Sequence, residues 1–211
     1  MIVLVGSQKG GCGKSTTAVN ICAALANMGI DVVLVDSDRQ GTAANWAMDR
    51  STQAHLPTVH CVQKFDNIRE ALFDLDKRYE VVVVDTAGRD SRELRTGMTA
   101  ADILITPFRP SQPDLDTLPN LSEIISQAKD LNPKLGVYGL LMMTSTNPLV
   151  QETNEAIEYI SDYPDINLLN TTIKDRKLYR DAISEGKGVT EMGASKASNE
   201  IGDLIKEIFK W

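Results

Sequence analysis

The amino-acid sequence predicts an α/β fold, a doubly wound and mostly parallel sheet flanked by helices. Three observations carry this expectation. Short runs rich in β-branched residues, such as Ile2-Val3-Leu4-Val5, Val32 to Val35, Val81 to Val84 and Ile103-Leu104-Ile105, alternate with helical patterns along the whole chain, as in successive βαβ units. The runs are continuously apolar rather than alternating, as strands buried on both faces of a parallel sheet are. Several end in carboxylates, which fall on the edge where such sheets bind ligands.

A length of 211 residues suits one domain, residues 1–211, with one sizeable core. With 42% hydrophobic and 24% charged residues the composition is that of a soluble globular protein. A net charge of −7 argues against a uniformly basic nucleic-acid binder but leaves room for a local basic patch. Cys12, Cys22 and Cys61 show no C-x-x-C spacing, which suggests reduced thiols in a cytoplasmic protein. No basic leader precedes the first strand and no apolar run approaches about 18 residues, so neither export nor a membrane span is expected.

Taken in order, Ile2 to Val5 forms the first strand and Thr17 to Ala26 belongs to an alanine-rich helix stopped by Gly29. Asp31 to Asp36 is the second strand, followed by a helix through Trp46. Pro57 to Val62 is a weaker strand, and Ile68, Leu72, Phe73 and Leu75 mark a helix. Tyr79 to Asp85, with four consecutive valines, is the most strongly marked strand. Asp102 to Pro107 is another, and the helix opened by Pro110-Ser111 and Asp114-Leu115-Asp116 continues past Ile124 and Ile125. Gly136 to Thr144 is a strand; Ser145-Thr146-Asn147-Pro148 turns into a helix around Thr153 to Ile160. A short strand near Ile166 to Leu169 precedes the charged segment Ile173 to Arg180. The last helix runs from about Ser195 to the terminal Trp211. Its stripe of Ile201, Leu204, Ile205, Ile208 and Phe209 could lie on a membrane surface, but Glu200, Asp203 and Glu207 outnumber Lys206 and Lys210, which favours packing on the core.

Chemistry concentrates in Lys9-Gly10-Gly11-Cys12-Gly13-Lys14-Ser15-Thr16, a glycine-rich turn between the first strand and its helix. Glycines let backbone N–H groups converge on an anion, and the helix start adds the positive end of its dipole. The string G-x-x-x-x-G-K-[ST] is not met in full, because Gln8 stands where its first glycine belongs. Lys14 is placed to hold β- and γ-phosphate oxygens and Ser15 to ligate Mg²⁺. Asp85 at the end of its strand reads as the carboxylate on the Mg²⁺ water shell, and one of Asp36 and Asp38 orients the attacking water. Lys9 is unusual: from its place in the loop it cannot easily serve the phosphates that Lys14 serves, and is better used reaching outward. Cys12, among backbone amides at a helix start, is a gap-filler or an alkylation-sensitive thiol.

Lysine ahead of paired glycines resembles the deviant Walker A box of the ParA/MinD family of P-loop ATPases. Asp36-Ser37-Asp38-Arg39-Gln40-Gly41 is similar to that family's second motif, which usually reads Asp-x-Asp-Pro-Gln-Gly; here Arg39 replaces the proline. Asp85-Thr86, the stretch Pro107, Pro110-Ser111, Asp114-Leu115, and the tail Arg176 with Gly186-Lys187-Gly188-Val189 also resemble small ParA proteins of plasmid and chromosome partition. The resemblance implies ATP and Mg²⁺ as ligands, Gly10, Gly11, Cys12, Gly13, Lys14, Ser15, Thr16 and Asp36 around the nucleotide, and Ser15 and Asp85 at the metal. It makes Asp38 the water-orienting residue and Asp36 a magnesium-side partner, with Lys9, Lys14 and Asp38 as the catalytic set. It further implies an ATP-bound homodimer in which Lys9 reaches the partner's nucleotide, slow hydrolysis stimulated by a ParB-like adaptor, and binding to nonspecific DNA in a cytoplasmic, nucleoid-associated protein. The DNA-binding candidates Lys174, Arg176, Lys177, Arg180 and Lys187 are interleaved with Asp175, Asp181 and Glu185, so their segment is only mildly positive.

Other classes are narrowed by single features. Asp85-Thr86-Ala87-Gly88-Arg89 also matches signal-recognition GTPases, but the chain has no Thr-Lys-x-Asp string to read guanine. Nitrogenase-type iron proteins need cluster cysteines, and none follows Cys61. A MinD-like membrane-associated ATPase and a nucleotide-gated scaffold that positions a protein cargo stand as alternatives to DNA partition.

Overall fold

A computed structural model describes residues 1–147 and 150–210. Pro148, in the turn expected after Thr144, and the terminal Trp211 lie outside the described residues. Seven strands, β1 (Ile2–Ser7), β2 (Val32–Ser37), β3 (His60–Gln63), β4 (Val81–Gly88), β5 (Ile103–Phe108), β6 (Gly136–Thr144) and β7 (Asn167–Lys174), join in one sheet. Their order is β3-β2-β4-β1-β5-β6-β7, and every pairing is parallel.

The strand order dictates where the helices lie. From β1 the chain moves outward to β2 and β3 through α1 (Lys14–Asn27) and α2 (Thr42–Ser51). It returns and continues the other way through α3 (Arg69–Asp76), α4 (Arg92–Met98), α5 (Gln112–Leu115), α6 (Leu118–Leu131) and α7 (Glu152–Ser161). Right-handed crossovers in opposite directions place their helices on opposite faces. Accordingly, Val3, Val5, Leu34 and Val83 pack with α1, α2 and the late helices α8 (Lys177–Ser184) and α9 (Lys196–Phe209). Ile2, Leu4, Val33 and Val82 pack on the other side with α3, α4, α6 and α7. The reversal of direction occurs around β1, so the loops leaving β1, β2 and β4 open together at the carboxyl edge.

Elements differ from the sequence reading where local signals compete. The third strand begins at His60 rather than Pro57, because proline donates no ladder hydrogen bond. The seventh runs on to Lys174, its polar Asn170, Thr171 and Thr172 masking a strand pattern at the sheet edge. The single helix expected after Pro110 is two, α5 and α6, each with a proline in its first turn, where proline starts helices rather than continues them. Helix α4 is an additional element, started by Ser91, which accepts the Leu94 N–H at 3.1 Å as its N-cap. Helix α9 buries Ile201, Leu204, Ile205, Ile208 and Phe209 in the core, with Ser195 capping its start.

Candidate nucleotide site

The loop between β1 and α1 folds around a single backbone carbonyl. Lys9 O accepts from the Lys14 ammonium at 2.8 Å, the Ser7 hydroxyl at 3.1 Å and the Cys12 thiol at 3.3 Å. Gly11 and Gly13 take left-handed φ of 73° and 102°, conformations glycine adopts without steric cost. Gly13 caps α1 with no side-chain hydrogen bond, and the first turn holds no acid. The first-turn amides of Lys14, Ser15 and Thr16 precede the first i→i−4 bond, Thr17 N–H to Gly13 O at 2.9 Å, so the helix presents uncompensated donors to an anion. Gly88, at the end of β4, abuts the loop so closely that a Cβ there would lie 2.6 Å from Gly10 Cα.

The three strand-end carboxylates differ in what surrounds them. Asp36 is buried and fully engaged: its oxygens accept the Asp38 N–H at 2.9 Å and the Ala44 N–H at 2.7 Å. Burial raises its pKa, and those amide bonds pull it back. It organises the turn from β2 into α2. Asp38 sits on the cavity wall, with Oδ1 accepting the Gln40 N–H at 3.0 Å. Asp85 is wholly buried, and among the described residues neither of its oxygens has a hydrogen-bond partner. Burial pushes its pKa up to about 7, with the nearby Ser15 hydroxyl and Lys14 ammonium drawing it down and Asp36 and Asp38 pushing it further up. A buried, unsatisfied carboxylate beside Ser15 is what a hard cation with oxygen ligands requires, so the residues present fit Mg²⁺.

Gly10, Gly11, Gly13, Lys14, Ser15, Thr16 and Asp38 all line one cavity of about 710 Å³. Asp36, Asp85 and Lys9 are not among the lining residues: the two aspartates are buried, and Lys9 is exposed with no ion pair among the described residues. Cys12 is completely buried, its Sγ 2.9 Å from Ser7 Oγ, so it fills the loop interior. Seven lining residues, Arg39, Gln40, Thr42, Ala87, Gly88, Arg89 and Met143, were not among the site residues predicted from sequence. Arg39 rests its guanidinium 4.8 Å from the Phe65 ring centroid and 3.8 Å from Asp66; its departure from the family's proline was the available signal. Arg89 closes the stretch Asp85-Thr86-Ala87-Gly88-Arg89, read from sequence only as a likeness to GTPases, and no signal marked Met143, a non-glycine residue at φ 54° where β6 loses register with β7.

The segment 174–187 lies on β7 and α8, and four of its five cations are already paired. Arg176 holds Glu200 at 2.7 Å, Lys177 holds Asp181 at 2.9 Å, Arg180 holds Asp175 at 3.0 Å and Lys187 holds Glu185 at 2.8 Å. Lys174 makes no ion pair among the described residues and lines a small cleft with Thr16 and Met143. The tail glycines serve packing. A Cβ on Gly186, at φ 66°, would lie 2.4 Å from Arg50 N, and one on Gly188 2.5 Å from Ala23 Cβ.

Comparison with known proteins places this arrangement. Residues 1–160 match the family described as ATPase MipZ. The Maintenance of carboxysome distribution protein A of Halothiobacillus neapolitanus is 30% identical over 211 residues, covering 97% of this chain and 94% of that protein. The apo structure of McdA from Cyanthece superposes with a TM-score of 0.79 at 16% identity, over 98% of both chains. MinD from Pyrococcus horikoshii OT3, solved with Mg-ADP, gives 0.77 at 18% identity, over 99% of this chain and 96% of that one. The phosphate-binding loop at the carboxyl edge of a parallel sheet, matched across three quarters of the chain, makes this protein a P-loop ATPase belonging to the MipZ/ParA family.

Proposed function

We propose that this ATPase is a positioning protein whose ATP-bound homodimer engages a protein cargo through an adaptor and lets go on hydrolysis. The observation that carries the reading is the pairing of an outward-facing Lys9 with a loop already organised around Lys14. Lys14 spends its ammonium on the Lys9 carbonyl and would exchange that acceptor for phosphate oxygens, while the Lys9 side chain, exposed, is free to cross to a second subunit. Ser15 and Asp85 would hold Mg²⁺, which neutralises charge on the phosphates when bound. Asp38, half-buried on the cavity wall, orients the water that attacks the γ-phosphorus. Asp36 keeps that turn in place by accepting two backbone amides.

A protein cargo is favoured over DNA partition by two facts. A relative 30% identical over 97% of this chain is named for carboxysome distribution, and the candidate DNA-binding cations are mostly engaged by carboxylates. No helix among the described residues is long and apolar enough to cross a membrane. The apolar stripe of α9 is packed in the core and is not available to lie on a membrane surface.

Lys9→Ala tests the reading. It should bind ATP within about threefold of wild type, since the Lys9 ammonium makes no hydrogen bond or ion pair among the described residues, but fail to form the ATP-dependent dimer in light scattering after gel filtration. A variant that still dimerises with ATP removes the cross-subunit role.

A further inference from the structure

We propose that Arg109 is a positioning residue for the phosphate loop, reached from the far side of the sheet edge and assigned by none of the motifs above. Its guanidinium Nη2 donates to the carbonyl of Gly11. Arg109 does not line the nucleotide cavity although Gly11 does, so it holds the Gly11 peptide without occupying the cavity itself. All peptide bonds described are trans, and in a trans peptide the C=O and the next N–H point in opposite directions. Holding the Gly11 carbonyl therefore fixes the plane of the Gly11–Cys12 peptide, directly ahead of Gly13, Lys14, Ser15 and Thr16, which line the cavity and offer their amides to an anion. Such a hold matters because Gly11 sits at φ 73°, and a glycine peptide reorients at little steric cost.

The arginine is itself aimed. Its backbone N–H donates to Asp114 Oδ1 at 3.2 Å, while Asp114 Oδ2 accepts from the Ser111 hydroxyl at 3.1 Å and the Ser111 N–H donates to Arg109 O at 2.8 Å. Asp114 is only 4% exposed, so the turn between β5 and α5 is a fixed mount. From the same side, α6 supplies a second hold: Asn120 Nδ2 donates to Gln8 Oε1 at 3.1 Å. Arg109 and Asn120 thus grip the loop on either side of Lys9, leaving the lysine side chain between them unheld. The glutamine that stands in place of the motif's first glycine is the handle for one of these grips.

The inference rests on the loop being the nucleotide site, and the test separates the two. Binding of a fluorescent ADP analogue and steady-state hydrolysis would be measured for wild type, Lys14→Ala, Arg109→Met and Arg109→Lys. If the site is right, wild type binds and Lys14→Ala does not; a Lys14→Ala protein that binds normally overturns the site itself. Given that control, Arg109→Met, which keeps bulk but no donor, should weaken binding and raise KM by about three- to tenfold, the range for one charge-assisted hydrogen bond at a partly exposed site. Its kcat at saturating ATP should stay within about twofold of wild type, since a loop held for binding serves ground and transition states alike. Arg109→Lys should recover part of the loss. Unchanged binding by Arg109→Met overturns the proposal. Equal losses in both variants overturn it too, as does a fall in melting temperature of the nucleotide-free protein that parallels the affinity loss, because either would make the residue a packing element.

Discussion

Asp85 is an expensive residue to keep. Its carboxylate is fully buried with no hydrogen-bond partner for either oxygen among the described residues, an arrangement proteins avoid unless a cation or ligand compensates. Asp36, its register partner on the adjacent strand β2, has the same chemistry but a different task, because two backbone amides satisfy it. Asp85→Asn should therefore lose the Mg²⁺-dependent part of nucleotide affinity while raising the stability of the nucleotide-free protein at pH 8 by about 1 kcal/mol, read from urea unfolding. A less stable variant would mean that Asp85 holds the empty site together. Sequence placed both at strand ends and gave them different roles, Asp85 on the Mg²⁺ water shell and Asp36 beside Asp38, but could not say how either carboxylate is satisfied. Only the path of the turn after β2, which brings the Ala44 amide back onto Asp36, tells them apart.

Among the elements, α2 and the segment after α8 are fastened by one buried ion pair. Arg50 forks onto Glu191 at 2.7 and 2.8 Å, donates to Pro57 O and Gly186 O, and lies over the Trp46 ring; both charged side chains are 3% exposed or less. Glu191 also accepts from Gly188 N–H and Asn27. Burial alone would push the Glu191 carboxyl up, but the Arg50 hydrogen bonds and the Gly188 amide outweigh it, and its pKa falls below the ordinary 4.5. A carboxylate depressed in the folded state contributes stability above its unfolded pKa and loses it as pH falls through the folded value. The contribution is therefore complete at neutral pH and fades below 4.5. Glu191→Gln strands the Arg50 charge and should cost about 3 kcal/mol at pH 7, with the difference from wild type shrinking toward pH 3. A pH-independent difference in denaturant midpoints would show that shape, not charge, is what Glu191 supplies. Because α2 follows the Asp38 turn directly, this pin also fixes the wall of the nucleotide cavity. Nothing in the spacing of Arg50 and Glu191, 141 residues apart, announced it.

On the scale of the whole molecule, the net charge of −7 and the pairing of Arg176, Lys177, Arg180 and Lys187 with carboxylates govern contact with nucleic acid. A phosphate contact by any of these four must first open an ion pair. ATP-trapped protein should bind nonspecific DNA only at low salt and release it by about 0.2 M, because counterion release makes such binding steeply salt-dependent. Binding that survives that salt, or that is unaffected by Lys174→Ala with Lys177→Ala, would locate the DNA surface on another face. The sequence by itself determined the parallel α/β fold, since apolar strand runs and the helical periods between them are local and the right-handed crossover rule leaves few ways to assemble them. It also determined the phosphate loop, whose glycines, lysine and serine are contiguous. The tertiary structure decided what depends on residues far apart in the chain. It left Asp85 unsatisfied while Asp36 was capped, it spent the basic segment on intramolecular pairs, and it carried Arg109 from the end of β5 onto the Gly11 carbonyl. Side-chain partnerships of that kind follow from where the folded sheet edge brings its loops together, and no periodicity or motif encodes that distance.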